Sequence, residues 1–285
     1  MPAGKQIAIL FHEREAQLDH SRYLVHHLAQ FWREDGHEVV YVFGTGRFVP
    51  ADLVFVHIDL SLVPARYLEF AARYPAVVNG RIRDIRKSAT SKNLVRPGDG
   101  WSGPVIVKSN QNYGGDSERL LAPSLLQRRA RLDGVRRRLL TAVGLPPIVD
   151  WRQYRVFERA EDVPPLWFRR RDVVVERFLP ELEDGLYHYR MCQFLGGCVR
   201  CTRIGSPRPV FKDDDSTRAE AVEPHPETEA WRREFGLDYG KIDYVVHDGR
   251  AVLLDINKTT GATTRVSETL EAERRYQAQG LYAYL

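Results

Sequence analysis

The sequence predicts a small α/β domain on a mostly parallel sheet, followed by an α+β region built from antiparallel hairpins. Two observations carry this. Strand and helix patterns alternate through the first ~95 residues, the order that builds a parallel sheet. Beyond residue 99 the strand patterns come in pairs joined by Gly-Gly and Asp-Gly, which are turn signals.

The elements follow in order. Residues 6-QIAILF-11 read as a strand. Ser21 is placed to cap a helix whose apolar positions Leu24, Val25, Leu28, Phe31 and Trp32 keep helical spacing, and Gly36 stops it. Strands are predicted at 38-EVVYVF-43 and 52-DLVFVHI-58, the second apolar enough to be buried on both faces. A helix from Val63, with Pro64 in its first turn, leads to a short strand at 76-AVVN-79. No G-x-G-x-x-G occurs, and 44-GTG-46 lacks the third glycine and the following helix of a dinucleotide site. Further on, 117–143 reads as a basic helix, 187–204 and 241–257 as hairpins, and Val266 to Leu285 as a closing helix.

Composition narrows the functional classes. The 285 residues are 43% hydrophobic and 28% charged, as in an ordinary globular protein. No apolar run reaches the ~18–20 residues that span a bilayer. The N-terminal MPAGKQIAILFHERE is too short in apolar residues for a secretion signal, so a cytoplasmic protein is expected. Net charge is +4, with arginine clusters at 128–138 and 169–171. These are solvated faces or a surface for an anionic partner; no nucleic-acid-binding signature accompanies them, and nucleic acid is not the expected partner. Cys192, Cys198 and Cys201 form one C-x-x-C with no second cysteine pair, so neither a disulfide framework nor a structural zinc site, which usually takes four ligands, is expected.

The hairpins fix which side chains face each other. With Gly196-Gly197 as a two-residue turn, Cys192 faces Cys201, expected to be apolar packing, and Arg190 faces Arg203. Two opposed arginines repel, so they are either paired with local carboxylates or clamp an anion. In the second hairpin, a two-residue Asp-Gly turn puts Asp243 and Asp255 on opposite faces. A three-residue turn puts them, with Asn257, on one face as oxygen ligands for a hard cation.

Four features stand in order along the chain. They are a lysine ending a strand before a glycine loop, 105-VIVKSNQNYGG-115; an acidic strand end, 173-VVVERFLPE-181; the Arg190/Arg203 hairpin; and D…D-x-N running into 255-DINKTTG-261. In a P-loop the lysine follows the glycines, whereas Lys108 precedes them. The order resembles the ATP-grasp superfamily, over residues ~85–265 and more loosely the N-terminal domain.

The resemblance implies a pre-ATP-grasp α/β domain at 1–98 and an ATP-grasp domain at 99–285, with a lid at about 104–178 and a C-terminal subdomain at about 179–285 clasping ATP between antiparallel sheets. It implies that Lys108 holds phosphates, with Lys92 as the earlier phosphate lysine and Gly114 and Gly115 in a flexible loop closing over them. Glu176 would stand at the hinge, Arg177, Phe178 and Leu179 at the adenine, and Glu183 at the ribose. Asp243, Asp255 and Asn257 would bind two Mg2+ ions. Arg190 and Arg203 would stabilise the transferred phosphoryl group or acyl-phosphate.

The implied activity is ATP-dependent ligation of a carboxylate, through its acyl-phosphate, to an amine, with an amino-acid or peptide-type substrate as the first expectation. The alternatives are a nucleotide-binding protein without catalysis and a small-molecule kinase. The chain departs from the family pattern at Asp255, where glutamate is usual, and at Lys258-Thr259-Thr260-Gly261, where a small residue, proline and glycine are usual. Arg208 and Lys212, in the 205–216 loop, are a candidate basic region for the carboxylate, and self-association is left open.

Overall fold

The computed structural model describes residues 4–123, 130–212, 215–263 and 267–285. The first sheet holds β1 (Gln6–Phe11), β2 (Glu38–Phe43), β3 (Leu53–Val56) and β4 (Ala76–Val78) in the order β2-β1-β3-β4. Every pairing within it is parallel. Helix α1 (Leu24–Glu34) buries the predicted stripe Leu24, Val25, Leu28, Phe31 and Trp32. Burial contributes about 1.5–3 kcal/mol for each large side chain of that stripe. Gly36, with φ +91°, turns the chain out of the helix. Ser21 does not cap α1: Tyr23 holds the N-cap position, and the Ser21 hydroxyl donates to Asp19 at 2.7 Å. Helix α2 (Ala65–Ala71) starts after Pro64 and packs on the other face.

The second sheet is antiparallel, in the order β6-β5-β7: β5 (Val105–Ser109), β6 (Arg155–Phe157) and β7 (Val173–Arg177). Its core is Val105, Val107, Trp167, Val173 and Val175. The short helices α3 (Lys87–Thr90) and α4 (Asp116–Leu121) flank the glycine loop, and α5 (Ala130–Ala142) follows. The single helix predicted over 117–143 is thus α4 and α5, with 124–129, where the basic run begins, outside the described residues. The strand β6 comes only after this helical segment, which is why no strand pattern follows the glycines.

The third sheet runs β11-β10-β9-β12-β13, with β8 added on β9. It comprises β8 (Glu181–Glu183), β9 (Leu186–Leu195), β10 (Cys198–Ser206), β11 (Arg218–Val222), β12 (Tyr239–His247) and β13 (Arg250–Asn257). Helix α6 (Pro226–Phe235) covers one face through Trp231, together with Ile82 and Ile85 from the segment after β4. Helix α7 (Glu268–Gln279) closes against α1, where Trp32 Nε1 donates to the Ala278 carbonyl at 2.9 Å. Among the described residues no helix is long and apolar enough to cross a membrane.

Both hairpins form. In β9–β10, Leu195 pairs with Cys198, Cys192 with Cys201 and Arg190 with Arg203, the register read from the sequence. Cys192 and Cys201 are joined by a disulfide, where simple apolar packing was expected. In β12–β13 the loop has two residues, since His247 pairs with Arg250, and Asp248 (φ +50°) and Gly249 (φ +74°) both take positive φ. That turn alone would separate Asp243 from Asp255. The register then shifts: Tyr244 pairs with Leu253, but Asp243 pairs with Asp255. Leu254 is the extra residue of a β-bulge, and the bulge, not a longer turn, brings the two carboxylates to one face.

Candidate functional site

A cleft of about 400 Å³ lies between the second and third sheets. Strand alternation on β12 and β13 turns Lys241, Asp243, Val245, Asp255 and Asn257 into it. Strands β5 and β7 supply Ile106, Lys108 and Glu176, and the connection to the third sheet supplies Arg177, Phe178, Leu179 and Pro180. One end is therefore apolar, with Ile106, Phe178, Leu179, Val245 and Val252, and can take a flat heterocycle. The other end is charged.

At the charged end Lys87, Lys108 and Lys241 each meet a carboxylate. Lys87 Nζ, on α3, stands 3.0 Å from Asp255 Oδ1 and is 4% exposed in its side chain. Burial alone lowers the Lys87 pKa, but Asp255, then Tyr154, outweigh it, so the ammonium is held charged above its usual range. Lys108 pairs with Glu176, both buried, and donates to the Leu254 carbonyl at 3.1 Å. That carbonyl belongs to the bulge residue, so the bulge shapes both sides of the cleft. The second carboxylate oxygen of Glu176, Oε1, is buried without a hydrogen-bond partner. Lys241 Nζ lies 3.0 Å from Asp243 Oδ2 on the same strand.

Asp243 and Asp255 face each other, and Asn257 follows on the same face. Two carboxylates and an amide oxygen form a donor set for a hard divalent cation. Among the described residues no group of three or more His, Cys, Asp or Glu could hold a metal. A cation here would thus complete its shell with water and ligand phosphate, as Mg2+ commonly does.

The glycine loop is packed rather than open. Tyr113, Gly114 and Gly115 have successive positive φ of 46°, 61° and 82°. A Cβ on Gly114 would lie 2.1 Å from the Val149 carbonyl oxygen, which excludes any side chain. Asn112 Nδ2 donates to the Ile256 carbonyl at 2.8 Å, and Asn257 Nδ2 donates to the Tyr113 hydroxyl at 3.2 Å. The loop is thereby fastened to the end of β13, with Lys212 5.0 Å from the Tyr113 ring.

The predicted site residues divide. Lys108, Gly114, Glu176, Phe178, Leu179, Asp243, Asp255 and Asn257 line the cleft, and Gly115 lies in the turn behind Gly114. Lys92 does not reach it: its side chain is 65% exposed and bonds Glu234 at 2.7 Å. Glu183 is 59% exposed and bound by Arg203. Arg190 and Arg203 share the face of Cys192 and Cys201, opposite the aspartates, because Asp243 pairs with Met191 and Tyr244 with Arg190. Both bind Glu181, at 3.0 and 2.8 Å, and Arg203 also binds Glu220 at 3.1 Å. Local carboxylates thus resolve the arginine repulsion, and no anion clamp forms. Sequence reading missed Lys87 and Lys241. Alternation from Asp243 exposes Lys241, two residues earlier; no local pattern marks Lys87.

No family model matches the chain, and no curated protein does. Solved structures do resemble it. A D-alanine–D-alanine ligase from Bacillus anthracis is 12% identical with a TM-score of 0.48, over 99% of this chain and 97% of that one. The same enzyme complexed with ATP is 11% identical with a TM-score of 0.45, over 99% and 97%. A RimK domain ATP-grasp protein from Sphaerobacter thermophilus is 14% identical with a TM-score of 0.46, over 98% of each chain.

Proposed function

We propose that the chain is an ATP- and magnesium-dependent ligase that activates a carboxylate as its acyl-phosphate and joins it to an amine. The observation that carries this reading is the convergence, in one cleft, of an apolar slot, four lysines (Lys87, Lys108, Lys212 and Lys241) and the Asp243–Asp255–Asn257 face. The apolar end takes adenine beside Phe178 and Leu179. Lys108 and Lys87 neutralise the phosphates, and Asp243, Asp255 and Asn257 hold Mg2+, which supplies charge neutralisation at the phosphates.

Lys241 takes the role first expected of Arg190 and Arg203: it is the cation nearest Asp243 and stabilises the transferred phosphoryl group. A substrate carboxylate oxygen attacks the γ-phosphorus, the bond to the bridging oxygen breaks and ADP leaves. The amine nitrogen then attacks the acyl carbon, phosphate departs and the nitrogen loses a proton. No nucleophilic side chain is needed; the chain positions and neutralises. The Lys87–Asp255 and Lys241–Asp243 pairs fit this cycle, since a bound cation would meet the aspartates while phosphate meets the lysines, stranding neither charge.

The test is ADP release on mixing Mg-ATP with panels of amino acids and short peptides, wild type against Lys241→Met. Turnover that needs both a carboxylate and an amine, and falls at least tenfold in the variant, supports a ligase. ADP release with a single acceptor and no joined product identifies a kinase. Nucleotide binding without turnover identifies a nucleotide-binding protein.

A further inference from the structure

A second cavity, of about 60 Å³, lies between α7 and the β9–β10 hairpin and shares no lining residue with the cleft. It has room for about four waters, or for one carboxylate with the carbon that bears it. Lys241, Gln193 and Arg200 form one cross-strand row on β12, β9 and β10, so their side chains share a face of the third sheet. Lys241 turns into the cleft, while Gln193 and Arg200 line the cavity.

Helix α7 faces the cavity with Leu270, Glu273, Arg274 and Gln277. These are the i, i+3, i+4 and i+7 positions, where a helix packed on a sheet normally carries apolar side chains. Here all but Leu270 are polar, and their hydrogen bonding is incomplete. Gln277 is 8% exposed, and its amide nitrogen has no hydrogen-bond partner. Arg274 donates through Nη2 to the Thr263 carbonyl at 2.8 Å, but its Nε is buried without a partner. Burial holds the Arg274 guanidinium below its usual range, and Glu271, on the same helix, offsets this only in part. Arg200 differs, because Glu273 pairs with it.

Gln277 Nε2 and Arg274 Nε are both donors. A buried N–H left unpaired costs about 1–3 kcal/mol, so the two call for an acceptor. The charged groups lining the cavity are Arg200, Glu273 and Arg274, which leaves one positive charge in excess. We propose that this cavity is a binding site for a single carboxylate group, held by Gln277 Nε2 and Arg274 Nε. The two donors stand one turn apart on one helix face, and a planar carboxylate accepts two such N–H groups side by side. A phosphate dianion would bring more charge than the cavity offsets. The site stands whether or not the cleft turns over ATP.

Cys198, a free thiol, lines the same cavity and reports on it. The experiment is alkylation of Cys198 in the folded, unreduced chain by iodoacetate, which carries a carboxylate, against iodoacetamide, which does not. In both reactions the Cys198 thiolate displaces iodide. The ratio of the two rates, read by mass spectrometry, should exceed that of the denatured chain by about fivefold or more, the effect of one net hydrogen bond. Sodium acetate should slow the iodoacetate reaction saturably, and sodium chloride at equal ionic strength should not. Gln277→Leu and Arg274→Gln should each bring the ratio back toward the denatured value. A ratio equal to the denatured one, equal protection by acetate and chloride, or a high ratio untouched by both substitutions overturns the proposal. If neither reagent reaches Cys198, the unfolding midpoint decides. Acetate should then raise it over chloride by a few degrees more in the wild type than in Gln277→Leu, and an equal effect on both overturns the proposal.

Discussion

Substituting Asp255 separates the two roles the structure gives it. Asp255→Asn keeps the shape of the side chain but strands the buried Lys87 ammonium, now 3.0 Å from a neutral amide. Breaking a buried pair from one side costs about 3–5 kcal/mol, because the remaining charge is uncompensated. A chain of 285 residues unfolds with an entropy of about 0.6 kcal/mol per kelvin, so the midpoint should fall by about 5–8 °C. Lys87→Met/Asp255→Asn removes both charges and should recover most of that loss. Nucleotide binding behaves differently. Mg-ATP at ~100 times its Kd adds about 2.7 kcal/mol, or about 4–5 °C, to the wild type. Both the single and the double variant should lose that shift. Scanning calorimetry of the three proteins, with and without Mg-ATP, reads everything at once. A single variant within 1 °C of wild type refutes the buried pair; a double variant that keeps the nucleotide shift refutes Asp255 as part of the ATP site.

Two further outcomes follow from groups outside the cleft. Arg203→Leu takes one of two arginines from Glu181, which keeps Arg190, so it should cost about 1.5–3 kcal/mol, yet leave the Mg-ATP shift intact, since Arg203 faces away from the aspartates; loss of the nucleotide shift with the fold retained would restore it to the site. Glu15 titrates at about 7 instead of 4.5, because burial disfavours its charge more than Tyr23 and the other partners favour it. The folded state therefore holds this proton more tightly, so stability declines as pH rises from about 4.5 to about 7, by roughly 3 kcal/mol in all. Chemical denaturation across that range should show a flatter pH profile for Glu15→Gln; an unchanged slope removes Glu15 as its source.

The sequence exposes local pattern well and coupling between distant segments poorly. The stripe on α1 and the register of β9–β10 are properties of a few neighbouring residues, and both are legible. Arg190 and Arg203 are correctly opposed, but which face they share depends on how β9 pairs with β12, fifty residues on. Their neutralising partner Glu181 arrives on a separate short strand. Lys87 belongs to the cleft because α3 is carried against Asp255, a contact across 168 positions that no periodicity announces. Lys92, in the same stretch of chain, looks equivalent in sequence and ends on the surface with Glu234.

The aspartate pair shows how a correct functional expectation can rest on a different local cause. Asp248-Gly249 dictates a two-residue turn, and strict alternation from that turn puts Asp243 and Asp255 on opposite faces. A strand that obeyed alternation would then have to bury one carboxylate in the core beside Ile242 and Ile256, at a cost of several kcal/mol. One extra residue, Leu254, removes that conflict, and its displaced carbonyl becomes the acceptor for Lys108. The irregularity is thus shared by the metal-type face and the phosphate-type lysine. Deleting Leu254 leaves Asp255 paired with Asp243 in a regular ladder, so it should keep both carboxylates on the cleft face while it takes the displaced carbonyl from Lys108, weakening the Mg-ATP shift without abolishing it. A folded deletion variant with no Mg-ATP shift would refute this reading of the register, and one with the full wild-type shift would show that the Leu254 carbonyl does not position Lys108.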